Sequence, residues 1–314
     1  MQTIVFLDRG TLSVPLRKPA FPHVWLDHDR TSPEETVERL RGADIAVTNK
    51  VKLRETELAP LPHLQLIAVA ATGYDGIDVA WCRAHGIRVS NVPGYTGASV
   101  PEHVFMLILA LRRHLPSYRA AMKEGRWQTA PFFTMLDYPI QDVAGSTLGL
   151  IGYGQLAKEV EKRAVAFGMK ILIAERKDSI TVRPGRKPFL EVLRESDVIS
   201  IHAPMTPGTR GLISSPELAI MKKEAILINT ARGGIVDETA LADALTAGRL
   251  GGAGIDVLSQ EPPRDGNPLL NLKLPNLIIT PHIAWTSRQA QEALAEEIVR
   301  NIEAFAAGIP RNMV

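Results

Sequence analysis

Short apolar runs alternate with segments of helical periodicity, which predicts a succession of strands and helices. In the first part of the chain the predicted strands are Ile4–Leu7, Ile45–Thr48, Leu66–Ala70 and Ile87–Ser90, and the predicted helices are Pro33–Arg41 and Asp75–His85. This alternation is typical of parallel sheets whose strands are joined by helices.

A long predicted helix, Ser99–Arg113, leads into a second block of the same kind. Its predicted strands are Leu148–Ile151, Lys170–Ala174, Val198–His202, Ala225–Asn229, Ala253–Val257 and Leu277–Thr280. The predicted helices are Gln155–Phe167, Pro188–Glu195, Pro216–Met221, Glu238–Ala247 and Thr286–Ala307. No strand follows the last helix, so we expect it to pack on the first block. The pattern predicts two Rossmann- or flavodoxin-like α/β domains with doubly wound parallel sheets and a cleft between them, covering 1–98 with 284–314, and 99–283.

The segment Tyr118–Val143 interrupts this pattern. It has no helical or strand period, yet it carries Trp127, Phe132, Phe133 and Tyr138. Aromatic side chains exposed together are typical of interfaces. We therefore expect an arm that reaches across to a second copy in a two-fold homodimer, with a plain surface loop as the alternative.

Composition and charge exclude several classes of function. The 314 residues carry a net charge of +2, and we expect the basic clusters Arg112–Arg113 and Arg183–Lys187 to be solvated surface, so no nucleic-acid partner is predicted. The longest apolar run, Val104–Leu111, is too short to span a membrane. No signal peptide is recognisable, which leads us to expect a cytoplasmic protein. The single cysteine, Cys82, is predicted to be buried and inert, and the histidines lack metal-ligand spacing, so no metal site is predicted.

A glycine-rich turn is the first sign of chemistry. Gly152, Gly154 and Ala157 form a G-x-G-x-x-A pattern after a predicted strand and at the start of a predicted helix. Such a turn lets the backbone approach a pyrophosphate at the helix N-terminus. The alternative is a tight turn without a ligand.

An acidic residue at the end of the next predicted strand indicates which dinucleotide binds. Glu175 stands where a carboxylate would accept the ribose 2′-hydroxyl of NAD. Arg176 and Lys177 follow directly and could bind the 2′-phosphate of NADP instead. Because the carboxylate would repel that phosphate, the sequence predicts that NAD(H) is preferred and that NADP(H) is usable.

Three polar residues lie just beyond predicted strand ends in the second block, and a fourth lies at the end of one of these strands. Arg232 follows one strand, Asp256 ends the next and Glu261 follows it, and His282 follows the last. Ligands bind at the carboxyl ends of parallel strands, and a guanidinium there can clamp a carboxylate. A histidine beside a glutamate is suited to acid/base work near neutral pH. Taken singly, Arg232 could equally form a structural ion pair, and His282 could be a packed residue.

These motifs together resemble the D-isomer-specific 2-hydroxyacid dehydrogenases over nearly the full chain. The resemblance rests on GLIGYGQLA, DVISIHAPMTPGTRGLI, MKKEAILINTARGGIVDE, GAGIDVLSQEPP and PHIAW, in that order. Within the family, ILIAERK, LSQEPP, PHIAWTSR and GIPRN are most similar to bacterial glycerate dehydrogenases, also called hydroxypyruvate reductases.

The resemblance implies a role for each matching residue. Arg232, Glu261 and His282 would be catalytic, with Arg232 also binding substrate, and Thr72, Gly73 and Trp285 would bind substrate too. The cofactor would contact Gly152, Gly154, Gln155, Leu156, Glu175, Arg176, Ala203, Pro204, Thr209, Thr230, Ala231, Asp256, His282 and Ala284. The domain 99–283 would bind NAD, and 1–98 with 284–314 would be the catalytic, substrate-binding domain.

The implied activity is NAD(P)H-dependent reduction of hydroxypyruvate or glyoxylate to the D-2-hydroxy acid, and the reverse oxidation. One alternative is the reductase of another 2-oxo acid, such as pyruvate or a bulkier one. A second alternative, from another class, is a dinucleotide-sensing protein similar to corepressors, which would bind the cofactor without turnover.

Overall fold

Two parallel β-sheets form the framework of the computed structural model, which describes residues 1–314. The strands are β1 (Gln2–Phe6), β2 (His23–Asp27), β3 (Ile45–Thr48), β4 (Leu66–Val69), β5 (Arg88–Ser90), β6 (Thr147–Ile151), β7 (Lys170–Ile173), β8 (Val198–Ile201), β9 (Ile226–Asn229), β10 (Gly252–Ile255) and β11 (Leu277–Ile279). The helices are α1 (Pro33–Leu40), α2 (Glu55–Leu58), α3 (Val79–Ala84), α4 (Ser99–Arg112), α5 (Leu115–Lys123), α6 (Gln155–Ala166), α7 (Phe189–Glu195), α8 (Ser215–Ile220), α9 (Glu238–Thr246) and α10 (Arg288–Ala306).

The chain divides into two compact units. The first unit comprises Met1–Tyr95 with Thr286–Val314, and the second comprises Thr96–Trp285. The limits predicted from the sequence, at 98 and 284, differ from these by three and two residues.

The first unit is built on a five-stranded sheet in the order β2-β1-β3-β4-β5, with every pair parallel. Its central strands β3 and β4 are buried along their whole length, which explains their continuous apolar sequence. The terminal helix α10 packs against β4. It does so through a face that includes Leu294, Ile298 and Ile302, all fully buried. The spacing of these residues follows the helical period.

The second unit is built on a six-stranded parallel sheet in the order β11-β10-β9-β8-β6-β7. Alternate residues of its strands belong to two separate hydrophobic clusters, as expected when successive side chains point to opposite faces. One cluster contains side chains of α4 and α6, and the other contains side chains of α7, α8 and α9. With helices on both faces, the sheet is doubly wound, and the predicted fold class is confirmed.

The carboxyl ends of five neighbouring strands of this sheet lie at the same height. Ile255 pairs with Asn229 on one side and with Ile279 on the other, and Ile201 pairs with both Asn229 and Ile151. The loops that follow β6, β8, β9, β10 and β11 therefore leave the sheet at one edge, where ligands bind in sheets of this kind.

Three elements were not predicted. β2 is an edge strand whose residues are half-buried or exposed, so it has no continuous apolar run. α2 is only one turn long. α5 includes Tyr118–Lys123, so the first part of the predicted aperiodic arm is in fact helical, and only the part after Lys123 is irregular.

The irregular part, which we call the arm (residues 124–143), is folded on itself and against α5. The hydroxyl of Tyr118 donates to the carbonyl of Tyr138 over 2.9 Å, and the indole nitrogen of Trp127 donates to the carbonyl of Phe133 over 2.9 Å. These bonds leave the rings of Phe132 and Phe133 turned outward, 74% and 90% exposed.

Other sequence expectations concern burial. Cys82 is buried, as predicted, and burial raises the pKa of its thiol to about 11. None of the helices combines the length and the apolar character that crossing a bilayer requires.

Candidate active site

The ring of His282 is held by the carboxylate of Glu261. Its Nδ1 lies 2.6 Å from Oε2 of Glu261, while Oε1 of the same carboxylate accepts a hydrogen bond from the amide of Leu258 over 2.9 Å. Both side chains are about a quarter to a third exposed, 23% and 32% respectively. Because Nδ1 donates to the carboxylate, Nε2 is the nitrogen left for proton transfer with a ligand.

The backbone at His282 adopts a positive φ of 56°, a conformation that a non-glycine residue takes only when its surroundings impose it. The carboxylate of Asp256 imposes it here. Its two oxygens accept from the amides of Ile283 and Ala284, each over 2.9 Å, and the amide of His282 donates to the Asp256 carbonyl, also over 2.9 Å. The hydrogen bonds to Asp256 thus fix the loop that carries His282.

Asp256 is 1% exposed, and it also accepts from the hydroxyl of Thr280 over 2.5 Å. His103 of α4 completes this buried group, since its Nε2 lies 3.0 Å from the Thr280 hydroxyl and 3.5 Å from Asp256. Burial lowers the pKa of His103, with Asp256 opposing the shift. The side chain of Asp256 therefore holds the His282 loop, and it is engaged by groups of the chain itself.

Arg232 lies in the loop after β9, and Asn229 at the end of that strand shapes the loop. The side-chain amide of Asn229 donates to the carbonyl of Arg232 over 2.9 Å and accepts from the amide of Ala231 over 3.1 Å. The Arg232 guanidinium donates to the carbonyl of Ala231 over 2.9 Å. Arg232 is half-buried. Because β9 and β11 end at the same edge of the sheet, its loop lies at the same edge as that of His282.

Gly233 brings the Arg232 loop against the loop that holds Glu261. A Cβ at position 233 would lie 1.8 Å from the carbonyl oxygen of Leu258 and 2.5 Å from the amide nitrogen of Ser259. Only glycine fits at this distance. Since Leu258 donates to Glu261, this backbone contact links the position of Arg232 to that of the Glu261–His282 pair.

The glycine-rich turn after β6 is shaped as the sequence predicts. Gly152 has φ of 83°, and a Cβ there would lie 2.7 Å from the carbonyl group of His202. A Cβ on Gly154 would meet nothing within 4 Å, so the backbone there is open to a ligand. Gly154 precedes α6, which starts with Gln155 and Leu156 and has no side-chain cap. Ala157 is fully buried, so the packing there accommodates a methyl group at the position of the third glycine.

The loop after β8 lies beside this turn. Its residues Ala203 and Pro204 follow His202, whose pKa burial lowers to about 4, so its imidazole is neutral at physiological pH. The Thr209 hydroxyl donates to the carbonyl of Pro204 over 2.6 Å and stabilises the loop from within.

These features fit a nicotinamide dinucleotide. An uncapped twelve-residue helix behind an open Gly154 is a site for a pyrophosphate. The buried hydroxyl of Thr230, next to Ala231, has no hydrogen-bond partner in the chain. Ala284 is buried, and its carbonyl accepts from Ser99 over 2.6 Å, while Trp285 packs against the cluster containing α4 and α6.

Glu175 lies two residues after β7, and its carboxylate is bound by the guanidinium of Arg183. Nε of Arg183 donates to its Oε2 over 2.7 Å, a second guanidinium nitrogen contacts Oε1, and the pKa of Glu175 lies well below its usual range because of these bonds. The side chain of Arg176 stays exposed, whereas Lys177 pairs with Glu217 over 2.9 Å.

The expectation that the two basic clusters are solvated surface is therefore wrong in part. Arg183 forms the pair with Glu175, and Arg112 is 9% exposed with one of its nitrogens donating to the carbonyl of Asp142 over 2.9 Å. In each case the acceptor comes from a segment that sequence spacing alone does not place nearby.

Thr72 and Gly73 belong to the first unit, in the loop after β4. The hydroxyl of Thr72 donates to the carbonyl of Val92 over 2.8 Å, and the Thr72 carbonyl accepts from Asn91 over 2.7 Å. These bonds fix the loop, and the amides of Thr72 and Gly73 donate to no acceptor within the chain.

The site also contains residues that sequence reasoning missed. Asn229 shapes the Arg232 loop, His103 supports Asp256, and Arg183 covers Glu175. The glycine pair after Arg232 was a usable signal of close backbone approach, but a single histidine in an apolar helix was not.

Three features together are typical of dinucleotide-binding oxidoreductases. They are the aligned carboxyl ends of the strands, the glycine turn before the uncapped helix α6, and the histidine paired with a glutamate. The family model described as "D-isomer specific 2-hydroxyacid dehydrogenase, NAD binding domain" matches residues 105–284. A glycerate dehydrogenase of Methylorubrum extorquens is 50% identical over 312 residues, which cover 99% of this chain and 98% of that protein. The chain belongs to the D-isomer-specific 2-hydroxyacid dehydrogenase family.

Solved structures show the same architecture. A D-lactate dehydrogenase of Aquifex aeolicus, complexed with NAD and lactic acid, superposes with a TM-score of 0.82 at 30% identity, covering 98% of this chain and 96% of that one. An NADPH-dependent glyoxylate/hydroxypyruvate reductase of Sinorhizobium meliloti gives 0.81 at 26% identity, covering 100% and 98%. The cofactor of this chain is therefore a nicotinamide dinucleotide, and both forms occur among its structural neighbours.

The close contact at Gly233 gives a test of how the site is assembled. Gly233→Ala should lower the free energy of unfolding by about 3 kcal/mol, because the added Cβ overlaps the Leu258 backbone and forces the two loops apart. In a unit of this size, the melting temperature should then fall by about 6–12 °C, measured by calorimetry. Gly208→Ala is the control, since its Cβ would meet nothing nearer than 4.0 Å. A Gly233→Ala protein as stable as the control would contradict the packing described.

Proposed function

We propose that this chain reduces a small 2-oxo acid, hydroxypyruvate or glyoxylate, to the D-2-hydroxy acid with NADH or NADPH, and catalyses the reverse oxidation. The observation that carries the proposal is the 2.6 Å contact between His282 and Glu261 at the edge of the sheet that also carries the glycine turn. The names of the glycerate dehydrogenase and the glyoxylate/hydroxypyruvate reductase support the substrate class.

His282 is the proposed general acid in reduction. Its Nε2 would donate a proton to the carbonyl oxygen as negative charge develops there, and it would take that proton back in oxidation. A bound nicotinamide dinucleotide supplies or accepts the hydride. Asp256 keeps the imidazole in place through the two backbone amides that follow His282, so the geometry exists before substrate binds.

Glu261 is the proposed partner of that acid. Its carboxylate accepts a hydrogen bond from the Nδ1–H group, which fixes the orientation of the ring and stabilises the imidazolium. The bond from the Leu258 amide holds the carboxylate itself. The pair thus resembles other acid/base dyads in which a carboxylate positions a histidine.

The substrate carboxylate requires fixed positive charge and donors. Arg232 supplies a guanidinium that can bind a carboxylate through two nitrogens. Thr72 and Gly73 offer amides that have no acceptor within the chain, and Trp285 is assigned to the substrate through the resemblance. We assign dinucleotide binding to the second unit. The predicted preference for NADH depends on Glu175 facing the ribose.

The proposal predicts the behaviour of His282→Ala. Turnover of hydroxypyruvate or glyoxylate should fall about 100- to 10,000-fold, the usual effect of losing a general acid. The dissociation constant of NADH, measured by fluorescence, should stay within about threefold, since the cofactor turn is unchanged. Parallel assays with pyruvate identify the preferred 2-oxo acid, and His63→Ala provides the control because this histidine is exposed and unbonded. Near-normal turnover by the His282 variant would refute the assignment.

Replacement of the partner carboxylate predicts a change in pH dependence. In Glu261→Gln the imidazolium loses its counter-charge, so the protonated form that reduction requires persists only at lower pH. The pH profile of kcat for reduction should therefore shift to lower pH. Steady-state rates between pH 5 and pH 9 measure this shift. A lowered rate with an unshifted profile would mean that Glu261 only supports the loop.

We further propose that the chain forms a two-fold homodimer through the arm and the helices next to it. Trp127, Phe132, Phe133 and Leu136 are between 50% and 90% exposed, and Leu115 and Met122 of α5 are about half exposed. Apolar side chains gathered on one segment in this way are typical of interfaces.

The dimer predicts a mass near twice 34.3 kDa by light scattering at micromolar concentration. The triple variant Phe132→Ser, Phe133→Ser and Leu136→Ser should raise the dimer dissociation constant at least about 100-fold, because each buried side chain contributes about 1.5–3 kcal/mol. Ile180→Ser is the control, since Ile180 is fully exposed elsewhere. A monomeric parent protein would exclude the dimer, and an equally stable dimer in the triple variant would exclude the arm from its interface.

A further inference from the structure

The carboxylate of Glu175 has no acceptor position to spare. It receives two bonds from the Arg183 guanidinium, one from the Arg176 amide over 2.8 Å and one from the Arg183 amide over 3.2 Å. A carboxylate offers about four such positions. The side chain is 2% exposed, so these donors also take the place of water.

Binding of a ribose diol at Glu175 therefore competes with Arg183. A neutral hydroxyl would have to displace one arm of a two-pronged, charge-assisted contact, which is stronger than the bond it would form. The Arg183 side chain is 54% exposed and lies on the outer side of the pair. Of the two partners, Arg183 is the one that can move into solvent.

The surroundings of the pair are positively charged. Nε of Arg186 lies 4.0 Å from the Glu175 carboxylate, and the Arg186 guanidinium lies 6.0 Å from the ring of Tyr153, in the glycine turn. The side chain of Arg176 is exposed and forms no hydrogen bond or ion pair within the chain. Two guanidinium groups thus lie within 4.0 Å of the carboxylate, and the neighbouring residue Arg176 adds a third positive charge, which leaves an excess of positive charge that matches a phosphate dianion.

We propose that Arg183, and not Glu175, determines the dinucleotide preference of this chain, and that the chain binds NADPH at least as tightly as NADH. While Arg183 remains on Glu175, the carboxylate is neutralised and the guanidinium edge is offered to the 2′-phosphate. When Arg183 is absent, Glu175 becomes free to accept ribose hydroxyls and to repel that phosphate. This inference rests on the proposed function only in assuming that a nicotinamide dinucleotide binds at the glycine turn.

Dissociation constants of NADPH and NADH, measured by calorimetry without substrate, test the proposal. Arg183→Met should weaken NADPH binding about 10- to 100-fold, the effect of losing a charge-assisted bond. NADH binding should stay the same or become tighter. Arg183→Lys, which keeps the charge, should recover part of the NADPH affinity. Lys187→Met is the matched control, because it removes one charge from the same loop while its partner is Glu195, 2.7 Å away.

Three results would overturn the inference. They are a parent protein that binds NADH tenfold more tightly than NADPH, an Arg183→Met protein in which both dinucleotides weaken equally, and a control variant that changes the ratio as much. Because binding is measured without turnover, this experiment tests the role of Arg183 independently of the proposed activity. A protein that shows the predicted shift in affinity but reduces no 2-oxo acid would refute the function and leave the role of Arg183 intact.

Discussion

The buried carboxylate of Asp256 is the interaction on which the candidate active site depends. Burying a carboxylate is costly unless donors surround it, and here two amides, a hydroxyl and a nearby histidine do so. All of these donors except the histidine belong to the loop that carries His282. The same bonds that compensate for burial therefore fix the catalytic candidate, including its unusual positive φ. A site built in this way is rigid because its loop could move only by exposing an unpaired carboxylate.

The second constraint is the level register of the sheet. Because the carboxyl ends of β9, β10 and β11 pair residue for residue, the loops that follow them leave at one edge. Gly233 then allows two of these loops to touch through their backbones. Arg232, Glu261 and His282 come from three separate stretches of chain. The backbone alone brings all three to the same edge of the sheet. The strands fix the level, and the glycine fixes the lateral spacing.

The parts of this arrangement that follow general rules could be predicted from the sequence. Buried parallel strands are continuous apolar runs, so β3, β4 and β8 were predicted close to their observed ends, whereas the half-exposed edge strand β2 was not. The rule that ligands bind at strand ends predicted that His282 and Glu261 lie at one edge of the sheet, and the family resemblance implied that they pair. The partners of Asp256 and Arg112 could not be predicted, because they depend on how irregular backbone folds back. Spacing along a chain carries no information about such a path.

Glu175 shows most clearly why a residue type in the expected position does not determine a function. The sequence predicts an acid just after β7, and the structure has Glu175 there. The guanidinium of Arg183, eight residues further along the chain, donates to both oxygens of its carboxylate. The affinity of any ligand for that carboxylate includes the cost of displacing the guanidinium. A hydroxyl bears this cost, whereas a phosphate that binds the guanidinium does not. In our proposal the acid is an anchor for a basic loop, and the dinucleotide preference of the site is set by the arginine that the acid holds.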